Sequence, residues 1–570
     1  MKKTLPGVFF CVLLSAAAVK LSAARPQAQT NDSNGKAGDV DIVLLDTTDT
    51  HGRIEPWDYY QNKPANLGLA KVATLIKEQR AEAPDALLLD CGDTIQGTPM
   101  AYYFAEKDTS KPNPMIAAFN LLHYDAMAVG NHEFNFGEEE MWKAKGESHF
   151  PWLAANIKET YTQGTTPYFQ PYIIKTVKGV RVGIVGFVTP GIPRWEIPAH
   201  YKGYEFEPIV QAAKRVIPEV RKQVDLVVVI MHSGFAKDPV SGEVWPEQGV
   251  GENVAPDLTE VPGIDVIFYG HTHSELSEKI LNGVLMAQPK NWGMALARAD
   301  VEMRQEGGRW GVVSKHSRTI RVTAQVEPDP EMMKLAEPYH EETEKYLNTP
   351  IAHSSTDLSG KYARYEDRPL LDVVQKAQLE AGHADVSMAT MLYAGAHIPA
   401  GPVTVGEAAG LYIYENTLYV VQMTGAQLKD ALEHAEGFFS RWPLAPGETP
   451  KLPSYNADQA YGVSYEVDLT KPVGERIVNL QFHGKPLDPA QVLRVATNNY
   501  RYTGGGGYSV FKGLPVAFTS SDEIRQIVID YLTRTKEIPS EPEGNWKIEP
   551  RAAVEATEQA ADANTGALAK

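Results

Sequence analysis

Six apolar runs, DIVLLD (41–46), ALLLDCGD (86–93), DAMAVG (125–130), VRVGIVGF (180–187), DLVVVIMH (225–232) and IDVIFYG (264–270), punctuate the first half of the chain. They are rich in Val, Ile and Leu and nearly unbroken by polar residues, the pattern of strands covered on both faces, and so predict an α/β sandwich over 40–325. From 326 to 350 the sequence turns to prolines and then a charged helical stretch with no strand run, which predicts a linker helix and a domain boundary. Beyond it, strands LYVVQM, YGVSYEVDL and VLRVATNN and helices LLDVVQKAQLEAG and GAQLKDALEHAEGFF suffice for a separate α+β domain over 351–550. Residues 551–570 are Ala-rich and poor in large apolar groups, and read as a frayed tail.

Composition narrows the picture. At 570 residues the chain is too long for one core, and 43% hydrophobic with 22% charged residues excludes disorder, so two domains are expected. The first residues carry two lysines, an apolar stretch over 6–19 and the small residues Ser22, Ala23 and Ala24, the pattern of a signal peptide over 1–24; 25–39 is polar and reads as a flexible lead. The apolar stretch is shorter than a membrane span of about 20 residues, and Lys20 closes it, so the expectation is an exported protein with no stable membrane anchor. The periplasm is the leading location, with secretion or the cell surface as alternatives. Cys11 falls in the discarded segment, which leaves Cys91 as a buried small hydrophobe with no disulfide partner. A formal charge of −18 argues against a nucleic-acid polymer as partner, and a phosphate substrate would need its counter-charge from metal ions.

The ends of the apolar runs carry the chemistry. Asp49 and His51 follow the first, Asp93 the second, Asn131 and His132 the third, His232 the fifth, and His271 and His273 the sixth. Side chains leaving the carboxyl ends of α/β strands converge on one rim. Carboxylates, imidazoles and an amide oxygen together suit zinc, manganese, iron or cobalt rather than calcium. One histidine at a strand end is ordinary hydrogen-bonded structure; five runs ending in ligands, with glycines allowing close approach, are a metal site.

D-x-H, GD, GNHE and GHxH in this order resemble the dinuclear metallophosphoesterases, and the exported two-domain form resembles the 5′-nucleotidase group. The resemblance implies a four-layer α/β/β/α sandwich followed by a separate α+β substrate-binding domain. It implies one divalent metal held by Asp49, His51, Asp93 and His273 and a second by Asp93, Asn131, His232 and His271, with Asp93 bridging. His132 then stabilises developing charge or protonates the leaving oxygen. Typical 5′-nucleotidases carry an aspartate three residues after this histidine. This chain carries Asn135, and GNHEFN resembles the 2′,3′-cyclic-nucleotide 2′-phosphodiesterase/3′-nucleotidase branch. An amide orients the ring without raising its basicity as a carboxylate does.

In the second half, GLYIYENTLYVV and VATNNYRYTGGGGYSVF resemble the family segments whose two aromatic rings stack on a nucleobase, here Tyr414 and Tyr500, with Asn416 at the base edge. The rival reading of the two tyrosines is core packing. Where 5′-nucleotide enzymes carry a phosphate-gripping arginine, this chain reads VSMATMLYAGAHIP; Lys361, Arg364 and Arg368 supply charge nearby, or form a solvated helix start. The expected protein is a monomeric hydrolase of 2′,3′-cyclic nucleotides and 3′-nucleotides whose domains move about the linker helix. A 5′-nucleotidase or nucleotide-sugar hydrolase is the alternative within the family, and a non-catalytic surface nucleoside-binding protein the alternative outside it.

Overall fold

The computed structural model describes residues 38–159, 169–237, 239, 251–414, 416–439 and 454–556. The signal-peptide reading of 1–24, and the lead up to 37, lie outside them.

In the strand Asp39–Thr47 successive side chains alternate between faces. Ile42 and Leu44 enter one core with Val182, Ile184, Val228 and Ile230, while Val43 and Leu45 enter another with Leu69, Val72 and Ile76. The first core is the seam between two six-stranded sheets, and the second lies beneath helices Leu69–Glu82 and Pro114–Leu122. On the outer face of the second sheet, Val227, Val229 and Met231 pack with Ala213, Val216 and Val220 of helix Ile209–Arg221. The layers therefore run helix, sheet, sheet, helix.

Strands Asp39–Thr47, Leu87–Asp90, Ala126–Ala128 and Trp152–Leu153 are parallel neighbours in the first sheet. Val180–Val188, Leu226–His232 and Val266–Tyr269 are parallel neighbours in the second. Strand Ala295–Glu306 returns antiparallel beside Asp39–Thr47. Helix Pro330–Leu347 follows, started by a proline in its first turn and by Asp329, whose carboxylate accepts from Met332 N at 3.0 Å. Its Met332 and Ala336 are buried.

The second unit centres on a five-stranded sheet in which Thr417–Thr424 lies between Val492–Asn498 and Val516–Glu523. Leu418 and Val420 share a core with Leu370, Val374 and Val528, whereas Val421 and Met423 face Leu428, Ala431 and Leu432. Helix Gly425–Ala435 begins with a capping box between Thr424 and Gln427. The tail reading needs correction at its start: residues 551–556 are helical, and Ala553 and Val554 are each 1% exposed within the core that holds Tyr465 and Trp546. Small side chains fill a gap that the sequence, lacking large apolar groups there, did not announce; 557–570 lie outside the described residues. Among the described residues no helix is long and apolar enough to cross a membrane.

Candidate metal centre and active site

The strand ends are joined by loops in an unusual backbone state. Asp49, His51, Asp93, His271 and His273 all have positive φ, at 49, 48, 58, 75 and 52°. Non-glycine residues hold such angles only where the surroundings over-determine them, and here loops bond to loops: Asp49 N donates to Gly92 O at 2.9 Å and His51 N to Asp93 O at 3.0 Å. The glycines of GNHE and GHTH make the close approach possible. A Cβ on Gly130 would stand 2.2 Å from Asp93 Oδ1, and one on Gly270 2.8 Å from Asp49 Oδ2.

Three overlapping groups result. Asp49, His51 and His273 bring ligand-type atoms within 4.8 Å of one another, as do Asp93, His232 and His271, and His51 and Asp93 with His132. Asp93 stands between the first two: its Oδ2 is 2.8 Å from His232 Nε2 and 3.9 Å from His51 Nε2. His273 Nε2 lies 3.0 Å from His51 Nε2 and 3.4 Å from Asp49 Oδ1. Each of three rings is held from behind: His51 Nδ1 by Gln96 O at 3.1 Å, His232 Nδ1 by Cys91 O at 2.8 Å, and His271 Nε2 by Glu252 Oε1 at 3.2 Å. Their other nitrogens are left for the centre.

Burial works against ionisation of Asp93, but His232, His132 and His51 outweigh it and hold the carboxyl well below its usual range. Burial likewise opposes Asp49, which the His273 contact brings to about 2. Burial lowers His232, yet Asp93 and Asp49 lift it to about 10. These groups compete for positive charge. Asn131 Oδ1 is buried with no hydrogen-bond partner among the described residues, a cost of about 1–3 kcal/mol for an acceptor unless a cation meets it. Two carboxylates, four imidazoles and this orphaned amide oxygen fit divalent first-row cations.

His132 approaches from the side. Its backbone N–H donates to Asp93 Oδ1 at 2.8 Å, its Nε2 is 3.8 Å from Asp93 Oδ2, and its Nδ1 is 2.5 Å from Asn135 Oδ1. It opens onto a cavity of about 310 Å³ lined also by Asn135, Tyr102 and His200, and from the second unit by Thr417, Asp522 and Arg525.

Tyr414 and Tyr500 are 44% and 37% exposed, so neither is a core aromatic, and neither lines that cavity. Their segments are tied together by Asn416 Nδ2, which donates to Asn499 Oδ1 at 3.0 Å, while Asn416 Oδ1 accepts from Tyr412 Oη at 3.2 Å. Lys361 and Arg364 fall in a turn, and Arg368 caps the start of the helix. The helix begins at Pro369, Arg364 donates to the carbonyls of Met391 and Leu392 at 2.9 and 3.0 Å, and Arg368 pairs with Glu366. Arg364 is committed to holding the MLY loop.

Sequence reasoning missed three supporting carboxylates. Glu133, quoted within GNHE without a role, is fully buried and accepts from the N–H groups of Gly130, Asp93 and Thr94 at 2.6, 3.0 and 2.6 Å. Glu252 backs His271 and accepts from Arg194 at 2.5 Å. Glu196 stands behind Asn135. No motif spacing marks Glu252 or Glu196.

Residues 44–275 match the calcineurin-like phosphoesterase family, and residues 350–513 match the 5′-nucleotidase C-terminal domain. The chain is 33% identical, over 91% of its length, to the 2′,3′-cyclic-nucleotide 2′-phosphodiesterase/3′-nucleotidase of Haemophilus influenzae, of which it spans 89%. It is 31% identical over 93% of its length to the trifunctional nucleotide phosphoesterase YfkN of Bacillus subtilis, a longer protein of which it spans 40%. Among solved structures, a candidate 5′-nucleotidase from Staphylococcus aureus in complex with α-ketoglutarate superposes with a TM-score of 0.71 at 26% identity, over 89% of this chain and 100% of that one. The two matched regions fall on the two folded units in order, and the Haemophilus relative is matched over nearly its whole length: the chain belongs to the 5′-nucleotidase family of metallophosphoesterases.

Proposed function

We propose that this chain is an exported hydrolase that converts 2′,3′-cyclic nucleotides and 3′-nucleotides to nucleoside and phosphate. The observation that carries the reading is the gathering of Asp49, His51, Asp93, Asn131, His232, His271 and His273 beside His132, at the mouth of a cavity between the two units. These residues would hold two divalent cations, of zinc, manganese, iron or cobalt, which would supply positive charge for phosphoryl oxygens and make water a stronger nucleophile at neutral pH. Asp93 is shared between the two ligand sets. His132, fixed at Nδ1 by Asn135, presents Nε2 toward the substrate to stabilise developing charge or to protonate the leaving oxygen.

Asn135 in place of an aspartate, and the arginine-free VSMATMLYAGAHIP segment, favour the cyclic and 3′ substrates over 5′-nucleotides. Tyr414 and Tyr500 stack on the base of the small-molecule nucleotide. Neither ring lines the cavity at His132, which favours a reorientation of the second unit to deliver the ester, with helix Pro330–Leu347 as the hinge region.

The test compares 2′,3′-cyclic AMP, 3′-AMP and 5′-AMP as substrates of the purified chain. The first two should exceed 5′-AMP by about tenfold or more in kcat/KM, a margin a built binding site readily supplies. Activity should vanish with chelator and return with manganese or zinc. Preference for 5′-AMP would move the chain to the 5′-nucleotidase branch, and no turnover by the metal-loaded protein would make it a binding protein. Export is tested by the N-terminal residue of the protein from a periplasmic fraction, expected just after Ala24.

A further inference from the structure

Behind His132 lies a chain of polar contacts that leads away from the metal centre. Asn135 Oδ1 is 2.5 Å from His132 Nδ1, the other end of the same amide, Nδ2, donates to Glu196 Oε1, and Glu196 Oε2 is 2.8 Å from His200 Nδ1. The Glu196 side chain is 2% exposed. It sits at the C-terminal end of the short helix Ile192–Trp195, whose Arg194 pairs with Glu252 behind His271. One segment thus backs both a candidate ligand and the candidate acid.

The chemistry of the three groups fixes the direction of the relay. A carboxylate accepts and does not donate, so the amide must turn its NH₂ toward Glu196. Its carbonyl oxygen then faces the imidazole, and only a ring protonated at Nδ1 satisfies that oxygen. An amide alone has no such preference, because it presents a donor or an acceptor equally well after a half-turn. The direction comes from Glu196.

We propose that Glu196 is a positioning residue for the reaction: acting through Asn135, it sets the orientation of His132 and keeps the proton on Nδ1. The inference rests on the reading of His132 as the group that meets the substrate. In this chain the carboxylate that would otherwise touch the ring is set back by one residue, and Asn135 transmits its preference.

Asn135→Asp places a second carboxylate against that of Glu196, a repulsive contact at short range. Combining it with Glu196→Gln reverses the order of the two groups: the carboxylate touches the ring and the amide stands behind it.

The test uses the metal-loaded full chain with 3′-AMP and 2′,3′-cyclic AMP. Glu196→Ala should lower kcat about tenfold, the usual range for such an outer partner, with KM within about twofold and metal content unchanged. Asn135→Asp should lose as much, and Asn135→Asp with Glu196→Gln should return to within about threefold of the parent. An unchanged kcat in Glu196→Ala, or a double variant no better than Asn135→Asp, would overturn the proposal. A second readout does not depend on turnover. ¹⁵N spectra of the histidine rings, with His132 assigned by its loss in His132→Asn, should show the Nδ1–H form in the parent and a mixture in Glu196→Ala. Equal spectra would overturn the relay, whereas the expected spectra in a protein inactive on both nucleotides would leave the relay standing and remove the functional reading.

Discussion

Glu133 accepts the backbone N–H of Asp93 at 3.0 Å, and through the same carboxylate it also holds Gly130 and Thr94. It thereby locks the loop carrying Asp93 against the loop carrying Asn131 and His132. With Ile95 N at 3.4 Å, four N–H donors on one buried carboxylate make a demanding site, since an amide in its place turns an NH₂ toward some of them. Glu133→Gln should therefore lower metal affinity or turnover by about 10–100-fold with the fold retained, the range for a partner that orients ligands. Metal titration and circular dichroism check this; full metal content with parental turnover would show that the loops hold without it.

The strands and the ligand set were legible in the sequence because each rests on a local signal. A run of Val, Ile and Leu announces a strand covered on both faces, and Asp49, His51, Asp93, Asn131, His232, His271 and His273 sit within a few residues of such runs. Glu196 and Glu252 were not legible. They reach Asn135 and His271 across 61 and 19 residues of chain, and no periodicity encodes such a contact. Arg364 was ambiguous for a related reason, since its basic neighbours suggested a charged surface and only the fold shows its guanidinium turned onto the carbonyls of Met391 and Leu392. The start of the tail was misread because burial there is done by Ala553 and Val554, side chains too small to register as a core signal.

Tyr500→Ala should separate nucleotide recognition from chemistry. Loss of a stacking ring costs about 1–3 kcal/mol, or about tenfold or more in kcat/KM for nucleotides. An aryl phosphate without a base should be hydrolysed at nearly the parental rate. Equal declines on both substrates would make Tyr500 structural, and no change on either would place the base elsewhere.

His132→Asn should keep its metal ions and lose on the order of 10²–10⁴ in kcat, the range for a positioned acid or charge stabiliser. Since His132 also groups with His51 and Asp93 within 4.8 Å, metal analysis of the variant is the deciding measurement. Loss of an ion would assign His132 to the ligand set.

Glu436 supplies a pH dependence of stability away from the active site. Burial raises its carboxyl to about 8, with Arg476 opposing and Glu433 adding to the shift. The folded protein holds this proton more tightly than the unfolded chain does, so the contribution is complete below about pH 4.5 and is lost as pH rises through 8. The melting temperature of the protein should fall by roughly 5 °C between pH 6 and 9 in the parent. Glu436→Gln should flatten that slope. Parallel slopes in the two proteins would show that Glu436 ionises freely in the fold.

Asp93 faces both ligand groups, 2.8 Å from His232 on one side and 3.9 Å from His51 on the other. Metal stoichiometry of the parent and of Asp93→Asn, by elemental analysis after reloading and desalting, therefore tests the two-cation centre most directly. The parent should retain about two equivalents of divalent metal per chain, and Asp93→Asn should fall below one with most of its activity gone, because one substitution weakens both positions. A parent that binds a single equivalent, or an Asp93→Asn variant that keeps two with near-parental turnover, would contradict the account.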